Sequence, residues 1–214
     1  TGMILGDCKL DGADFTDAVI NGILSDGSQP DLPLSAEQFM STRSYKRKDL
    51  SNCVSWGFES GKHAKRKYDF RGANLRQATI VGGDFTESDF TNAQITAMTF
   101  KECTVAFDQL ASTTTFRSRW PGSIAFRAAC IEGKADFSQL KLTGARFDLS
   151  FADADFSAAD IGGGLLGAAI TKDHLRSTSS YQHGDLVGIT FARMDLSGVD
   201  FSRQNLTSCE FAFC

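Results

Sequence analysis

Residues 69–105 read DFRGANLRQATIVGGDFTESDFTNAQITAMTFKECTV, with a large apolar side chain at every fifth position: Phe70, Leu75, Ile80, Phe85, Phe90, Ile95, Phe100 and Val105. Neither the helical spacing of 3.6 nor the strand spacing of 2.0 fits a period of five. An amphipathic helix would drift out of phase within two turns, and a plain strand would put every second centre on the wrong face. The period extends outward in both directions. Leu5, Leu10, Phe15 and Ile20 keep it near the start. Phe137, Leu142 and Phe147, then Phe156, Ile161 and Leu166, then Leu186, Phe191, Leu196, Phe201, Leu206 and Phe211 keep it toward the end. A small residue often stands two positions before a centre, as at Ala13, Ala73, Ala78, Ala93, Ala145 and Ala159, and Asp often stands one before, as at Asp14, Asp69, Asp89, Asp136, Asp155 and Asp200. A period sustained this far is a repeat architecture.

Composition agrees. The 214 residues include 18 Phe against 3 Tyr and 2 Trp, so one side-chain shape is being reused. The formal net charge of −4 is too mild for a general nucleic-acid binder. No apolar run approaches the length of a membrane span.

GADFT (12–16), RGANLRQATI (71–80) and ADADFSAADI (152–161) resemble the pentapeptide-repeat family, whose unit reads A-(D/N)-(L/F)-X-X. The resemblance covers roughly three quarters of the chain. It implies an all-β fold, a right-handed quadrilateral β-helix in which four five-residue sides make one square coil. The centre and the residue two before it point inward, and the other three positions face out. About seven coils are expected, carrying three short helical inserts. Each buried centre contributes about 2 kcal/mol before entropy is counted.

Cys8, Cys53, Cys103, Cys130, Cys209 and Cys214 have no zinc spacing. All but Cys130 fall two before a centre, where a thiol acts as a small apolar spacer. Cys130 falls one before Ile131 and faces outward.

Three interruptions of the period resemble one another: SAEQFMSTRSY (35–45), AFDQLASTTTF (106–116) and TKDHLRSTSSY (171–181). The chain therefore reads as a single domain, 1–214, of about three super-repeats at approximately 1–80, 81–147 and 148–214. Ser35 and Gln38 form a capping box for a short helix. Thr171 has the same place in the third copy, whereas Ala106 in the second has no capping oxygen. Phe39, Leu110 and Leu175 are expected to dock the inserts, together with the aromatic ends Tyr45, Phe116 and Tyr181. Three coils separate successive inserts, a spacing of about 14 Å. QFMSTRSYKRKDL (38–50) is similar to a subgroup of bacterial pentapeptide-repeat proteins thought to be exported. That resemblance favours an exported or cell-surface setting over a cytoplasmic one.

Charge is uneven. Residues 43–71 hold nine of the 22 Lys and Arg against three acids, leaving the rest of the chain at −10. Lys46, Arg47, Lys48, Lys62, Lys65, Arg66 and Lys67 are the candidate site for an anionic partner. Some members of the resembling family mimic DNA and bind type II topoisomerases. The basic window and the inserts depart from that pattern. The Asp row has a local explanation, because short Asp side chains bond turn backbone.

No catalytic, metal or cofactor pattern accompanies His63, His174 and His183. GGGLLG (162–167) falls inside the repeats and opens no helix, so it is not a dinucleotide motif. A filled lumen has no pocket of its own, and the chain is not expected to be an enzyme. The expected role is a non-catalytic interaction or scaffold module whose partner is a macromolecule, a protein before a nucleic acid. The alternatives are a DNA-mimicking binder of a type II topoisomerase and a structural segment of a larger bacterial surface protein. Leu5 and Phe211 lie in phase close to the two ends, so end-to-end pairing of two copies, or a longer parent solenoid, is also expected.

Overall fold

The computed structural model describes residues 9–22, 34–53, 65, 67–148, 153–168 and 170–214. Within it, four successive pentapeptides close one turn. Phe85, Phe90, Ile95 and Phe100 are four consecutive buried centres, and Phe100 lies in register with Ile80 of the turn before. The strands are β1 (Thr79–Val81), β2 (Thr99–Lys101), β3 (Thr104–Ala106), β4 (Ala125–Arg127), β5 (Cys130–Glu132), β6 (Arg146–Phe147), β7 (Leu165–Leu166), β8 (Thr190–Ala192) and β9 (Glu210–Ala212). All their pairings are parallel, with β1-β2-β4-β6-β7-β8-β9 making one seven-stranded ladder and β3-β5 a second, two-stranded one. Pentapeptide repeats with this ladder form the expected quadrilateral β-helix.

The strands are short because a turn follows each centre. Two residues past it the backbone enters the left-handed region, at Gly72 (φ 65°), Gln77 (φ 58°), Asn92 (φ 63°) and Ala97 (φ 58°). The Asp before the centre braces this turn. Its Oδ1 accepts the N–H two residues on, as from Asp89 to Thr91, Asp155 to Ser157 and Asp200 to Ser202, each at 2.8 Å. The Asp row is thus a row of local turn braces.

The lumen is solid. Phe100, Phe126 and Phe147 form a column with centroids 5.4 and 6.0 Å apart, and Phe137 stacks on Phe156 at 5.1 Å. Ala73, Ala78, Ala93, Ala145 and Ala159 fill the spacer position, but Met98, Leu140, Ile189 and Met194 are buried there too, so the spacer is not always small. Cys53 and Cys103 are buried spacers, and burial pushes the Cys103 thiol up to about 12. The thiols of Cys53 and Cys209 donate to the carbonyls of Ile20 and Leu186, one coil away, at 3.1 and 2.9 Å. Cys130 is exposed as expected, Cys214 is exposed as well, and Cys8 lies outside the described residues.

The stack runs beyond the seven-stranded ladder. Leu50 donates its N–H to Asn74, Thr79 donates to Cys53, and Asp17 donates to Ser41, which adds the turns of Leu50 and Ile20 before β1. An expectation of about seven coils is therefore short.

Each interruption is a pair of helices rather than one. The pairs are α1 (Ala36–Ser41) with α2 (Arg43–Lys46), α3 (Phe107–Ala111) with α4 (Thr114–Arg117), and α5 (Lys172–Ser177) with α6 (Ser179–Gln182). The second pair precedes β4 and the third precedes β8, three rungs later in the ladder. At about 4.8 Å per rung the two pairs lie about 14 Å apart.

Candidate interaction surface

The three helix pairs are held by the same set of bonds. Ser35 and Thr171 cap α1 and α5, accepting from the N–H of Gln38 and His174 at 3.1 Å. Ala106 has no such oxygen, and Gln109 Oε1 alone accepts the Ala106 N–H at 2.9 Å. The second helix of each pair opens on a buried threonine that the sequence reading missed. Thr42, Thr113 and Thr178 each donate to the carbonyl three residues back and accept from the N–H of Tyr45, Phe116 and Tyr181 at 3.2 Å. Their signal is the shared Ser-Thr at 41–42, 112–113 and 177–178, which marks a new N-cap.

Each pair then takes the place of one side of a coil, with its second helix bonded to the coil before. The N–H groups of Arg43, Thr114 and Ser179 donate to Ala18, Ala93 and Ala159 of the preceding coil, at 2.8, 3.0 and 2.9 Å. In return the hydroxyls of Ser44, Thr115 and Ser180 accept from Ile20, Ile95 and Ile161, at 2.9, 2.8 and 3.0 Å. Phe39, Leu110 and Leu175 are fully buried. Tyr45 and Tyr181 are half-buried, and their hydroxyls reach one coil onward: Tyr45 accepts from the Asp69 N–H at 2.9 Å, and Tyr181 donates to the Asp200 carbonyl at 2.6 Å. Phe116 has no hydroxyl and packs on Phe107 and Phe137 instead.

Gln38 Nε2 donates to Leu10 and Ala13, and Gln109 Nε2 donates to Phe85, Thr86 and Ser88, tying these inserts to the coil before. In the third insert His174 packs on Phe156 at 5.3 Å, and its Nδ1 accepts the Thr171 N–H at 3.3 Å. Burial holds the His174 imidazole below its ordinary value.

The basic window is partly neutralised by its own neighbours. Lys46 pairs with Asp17 at 2.9 Å, Lys48 with Asp69 at 3.1 Å, and Lys65 with Glu87 at 2.8 Å. Arg71 binds Asp69 at 2.9 Å and, with Lys48, holds its carboxyl well below the usual carboxylate range. Arg47 and Lys67 are exposed and make no ion pair among the described residues; Lys62 and Arg66 lie outside them. The structure thus does not gather the seven basic residues into one free patch among those described.

The edge of the third insert bears two open clefts. One, about 440 Å³, is lined by Arg176, Gln182, His183, Asp200 and Arg203; the other, about 390 Å³, by Gln139, Lys141, Asp160, Ser179, His183 and Asp185. Both are open and mixed in polarity, unlike the enclosed apolar sites that hold small molecules. Among the described residues no group of three His, Cys, Asp or Glu lies together in a metal-holding arrangement. Among the described residues no helix is long and apolar enough to cross a membrane.

One further row runs beside the helix pairs. Its members are Asp49, Asn74, Gln94, Trp120, Lys141, Asp160, Asp185 and Asn205, each one position before a centre. Isolated parallel bridges join Asp49 to Asn74, Asn74 to Gln94, Lys141 to Asp160 and Asp185 to Asn205. The Lys141 N–H donates to the Arg119 carbonyl at 2.9 Å, the same bond that Asp160 makes to Leu140 and Asn205 to Gly184. Trp120 therefore stands where the other inserts carry Asp49 and Asp185, and it is 64% exposed. Aligning KDL, RWP and GDL at the three insert ends would have found it.

Comparison with known proteins agrees with the repeat reading. The family model for pentapeptide repeats matches residues 69–104 and 185–214, with eight copies of the unit. A search of curated proteins gives no significant match. Two structures of trypsin-treated QnrB1, described as a plasmid-mediated fluoroquinolone resistance protein, match at 18% identity and a TM-score of 0.27. They cover 66% and 82% of this chain and 75% of the QnrB1 chain. At that score nothing is transferred from QnrB1 to this chain.

Proposed function

Because this chain is a pentapeptide-repeat protein, we propose that it works without catalysis, as an interaction or scaffold module whose partner is a protein gripping the edge that carries the helix pairs. Proteins of this family are generally structural or binding modules. The observation that carries the reading is the threefold recurrence of one anchored outgrowth on a solid rod. Among the described residues the rod is filled by its centres, and repeated outgrowths on one face of a solenoid are where partners commonly bind. The 214 residues act as one solenoid domain of three super-repeats, in an exported or surface-exposed protein.

The DNA-mimic reading draws on the same Asp rows but needs an unbroken acidic face. Gln94, Trp120 and Lys141 break one such row at consecutive positions, and Lys46, Lys48, Lys65 and Arg71 neutralise acids elsewhere. A structural segment of a larger surface protein remains the second alternative, with no discrete partner.

The reading is tested by placing a photo-crosslinking residue at Glu37, Asp108 and Asp173, one on each insert, and at Arg193 and Glu210 away from them. Discrete adducts from the insert positions alone, formed in the source cells, support it. Equal labelling everywhere, or none, removes it.

A further inference from the structure

The row of Asp49, Asn74, Gln94, Trp120, Lys141, Asp160, Asp185 and Asn205 breaks its own rule in the middle. Asp49, Asn74, Asp160 and Asn205 use a side-chain oxygen to accept the N–H two residues on. Trp120 and Lys141 carry no side-chain oxygen for that brace, and among the described residues Gln94 and Asp185 do not make it, so the turn stability of those four is forgone at three neighbouring coils and again at Asp185. A contiguous breach of a local rule marks a place where something other than folding sets the residue.

The breach also carries cations that make no ion pair among the described residues, with Asp160 on the coil next to Lys141. Lys141 Nζ lies 6.0 Å from the centroid of the Trp120 ring. Arg119, on the left-handed backbone before Trp120 (φ 59°), binds Gln139, and Arg117 at the end of α4 binds Asn92. Both partners are neutral amides, and none of Arg117, Arg119 and Lys141 makes an ion pair among the described residues. The contrast is with the basic window, where Lys46, Lys48, Lys65 and Arg71 each have a carboxylate. Lys141 also lines the 390 Å³ cleft, with Gln139, Asp160 and Asp185.

We propose that Trp120, Arg117, Arg119 and Lys141 form a docking site for an acidic segment of a partner protein. This deepens the interaction reading above and rests on it. A large exposed indole flanked by arginines is the composition of a protein–protein hot spot. A lone aromatic offers no stacking platform for successive bases, which disfavours single-stranded nucleic acid. Three charges without an ion pair among the described residues supply complementarity to carboxylates, and with it attraction that weakens as salt rises.

The test uses the full chain carrying Trp56→Phe, so that Trp120 is the sole tryptophan. The probe is a capped dodecapeptide of alternating Glu and Asp, labelled for anisotropy and read also through Trp120 emission. The expected result is saturable binding that shifts the emission and weakens at least tenfold between 50 and 300 mM salt, a range set by Debye screening of about 10 Å at 0.1 M. Arg117→Ala/Arg119→Ala/Lys141→Ala should weaken binding at least tenfold. Trp120→Asp should do the same while folding normally, because Asp49 and Asp185 show that Asp suits this turn. Lys46→Ala/Lys48→Ala/Lys65→Ala should bind as the parent does. The proposal is overturned if the peptide does not bind at millimolar concentration, or if Trp120→Asp binds unchanged. It is equally overturned if a sulfated oligosaccharide or phosphatidylserine vesicles bind at this cluster and the peptide does not. Insert-specific crosslinks together with a failed peptide titration would discard this site and leave the interaction reading standing.

Discussion

Gln77, Ala97 and Ala158 hold left-handed backbone at φ 58°, 58° and 55°, at the turn position that Gly72 and Gly163 fill elsewhere. An L-residue there costs about 1–2 kcal/mol, and glycine returns about 0.5–1 kcal/mol of that as lost chain entropy. Gln77→Gly and Ala158→Gly should therefore each stabilise the protein, by about 0.5 kcal/mol from the difference of those two costs. Gly72→Ala meets no atom within 4 Å, so it should cost the same difference in the other direction, about 0.5 kcal/mol of destabilisation. Denaturant midpoints check all three, and a stabilising Gly72→Ala would refute the turn assignment. At this scale the sequence was highly legible. The five-residue period and the Asp before each centre dictated which side chains are buried and which brace turns. The spacer at Met98, Leu140, Ile189 and Met194 was not legible, because a lumen with locally thinner centres admits a larger spacer, and that depends on neighbours one coil away.

The helix pairs show what local signals can and cannot say. The capping box at Ser35 and Gln38 was readable because its two partners are three residues apart. The second helix was hidden, because Ser-Thr inside a short polar run looks like loop until the threonine is seen bonding forward and back. The third pair differs at His174, which occupies the position of Gln38 and Gln109. Asp173 and Asp155 partly offset the burial of its imidazole, but the net direction is downward from 6.5. The unfolded chain then binds a proton that the folded chain resists. The contribution of this residue is full above the unfolded value and falls as pH drops from there toward the folded value. His174→Gln should remove that component: the loss of stability between pH 7 and pH 5.5 should be smaller in the variant than in the parent, by urea unfolding at the two pH values. An identical loss would show that the ring is solvated. Trp120 was overlooked at this scale, since its equivalence to Asp49 and Asp185 shows only once the insert ends are superposed.

The whole molecule is a one-dimensional stack, in which each coil touches only its neighbours. Phe126 sits mid-column between Phe100 and Phe147, and Phe126→Ala should cost about 3–5 kcal/mol. Phe213→Ala, at an exposed position, should change stability by less than about 0.5 kcal/mol. Guanidinium unfolding distinguishes the two, and Phe126→Ala should also lower the slope of the transition as the halves uncouple. The length of the stack was underestimated from sequence for a physical reason. A helix pair replaces one side of a coil rather than standing outside it: Phe100 to Phe126 spans only six positions more than the 20 from Ile80 to Phe100. Residues assigned to outgrowths were in fact closing coils.

Ridges repeated at a constant rise along a rigid rod make a graduated scale. A partner built to fit one graduation fits the others after sliding by three rungs, about 14 Å, so spacing alone leaves its address ambiguous. The graduations at Tyr45 and Tyr181 end in Asp49 and Asp185, and the middle one ends in an indole. That single odd mark turns a repeating scale into one with an origin.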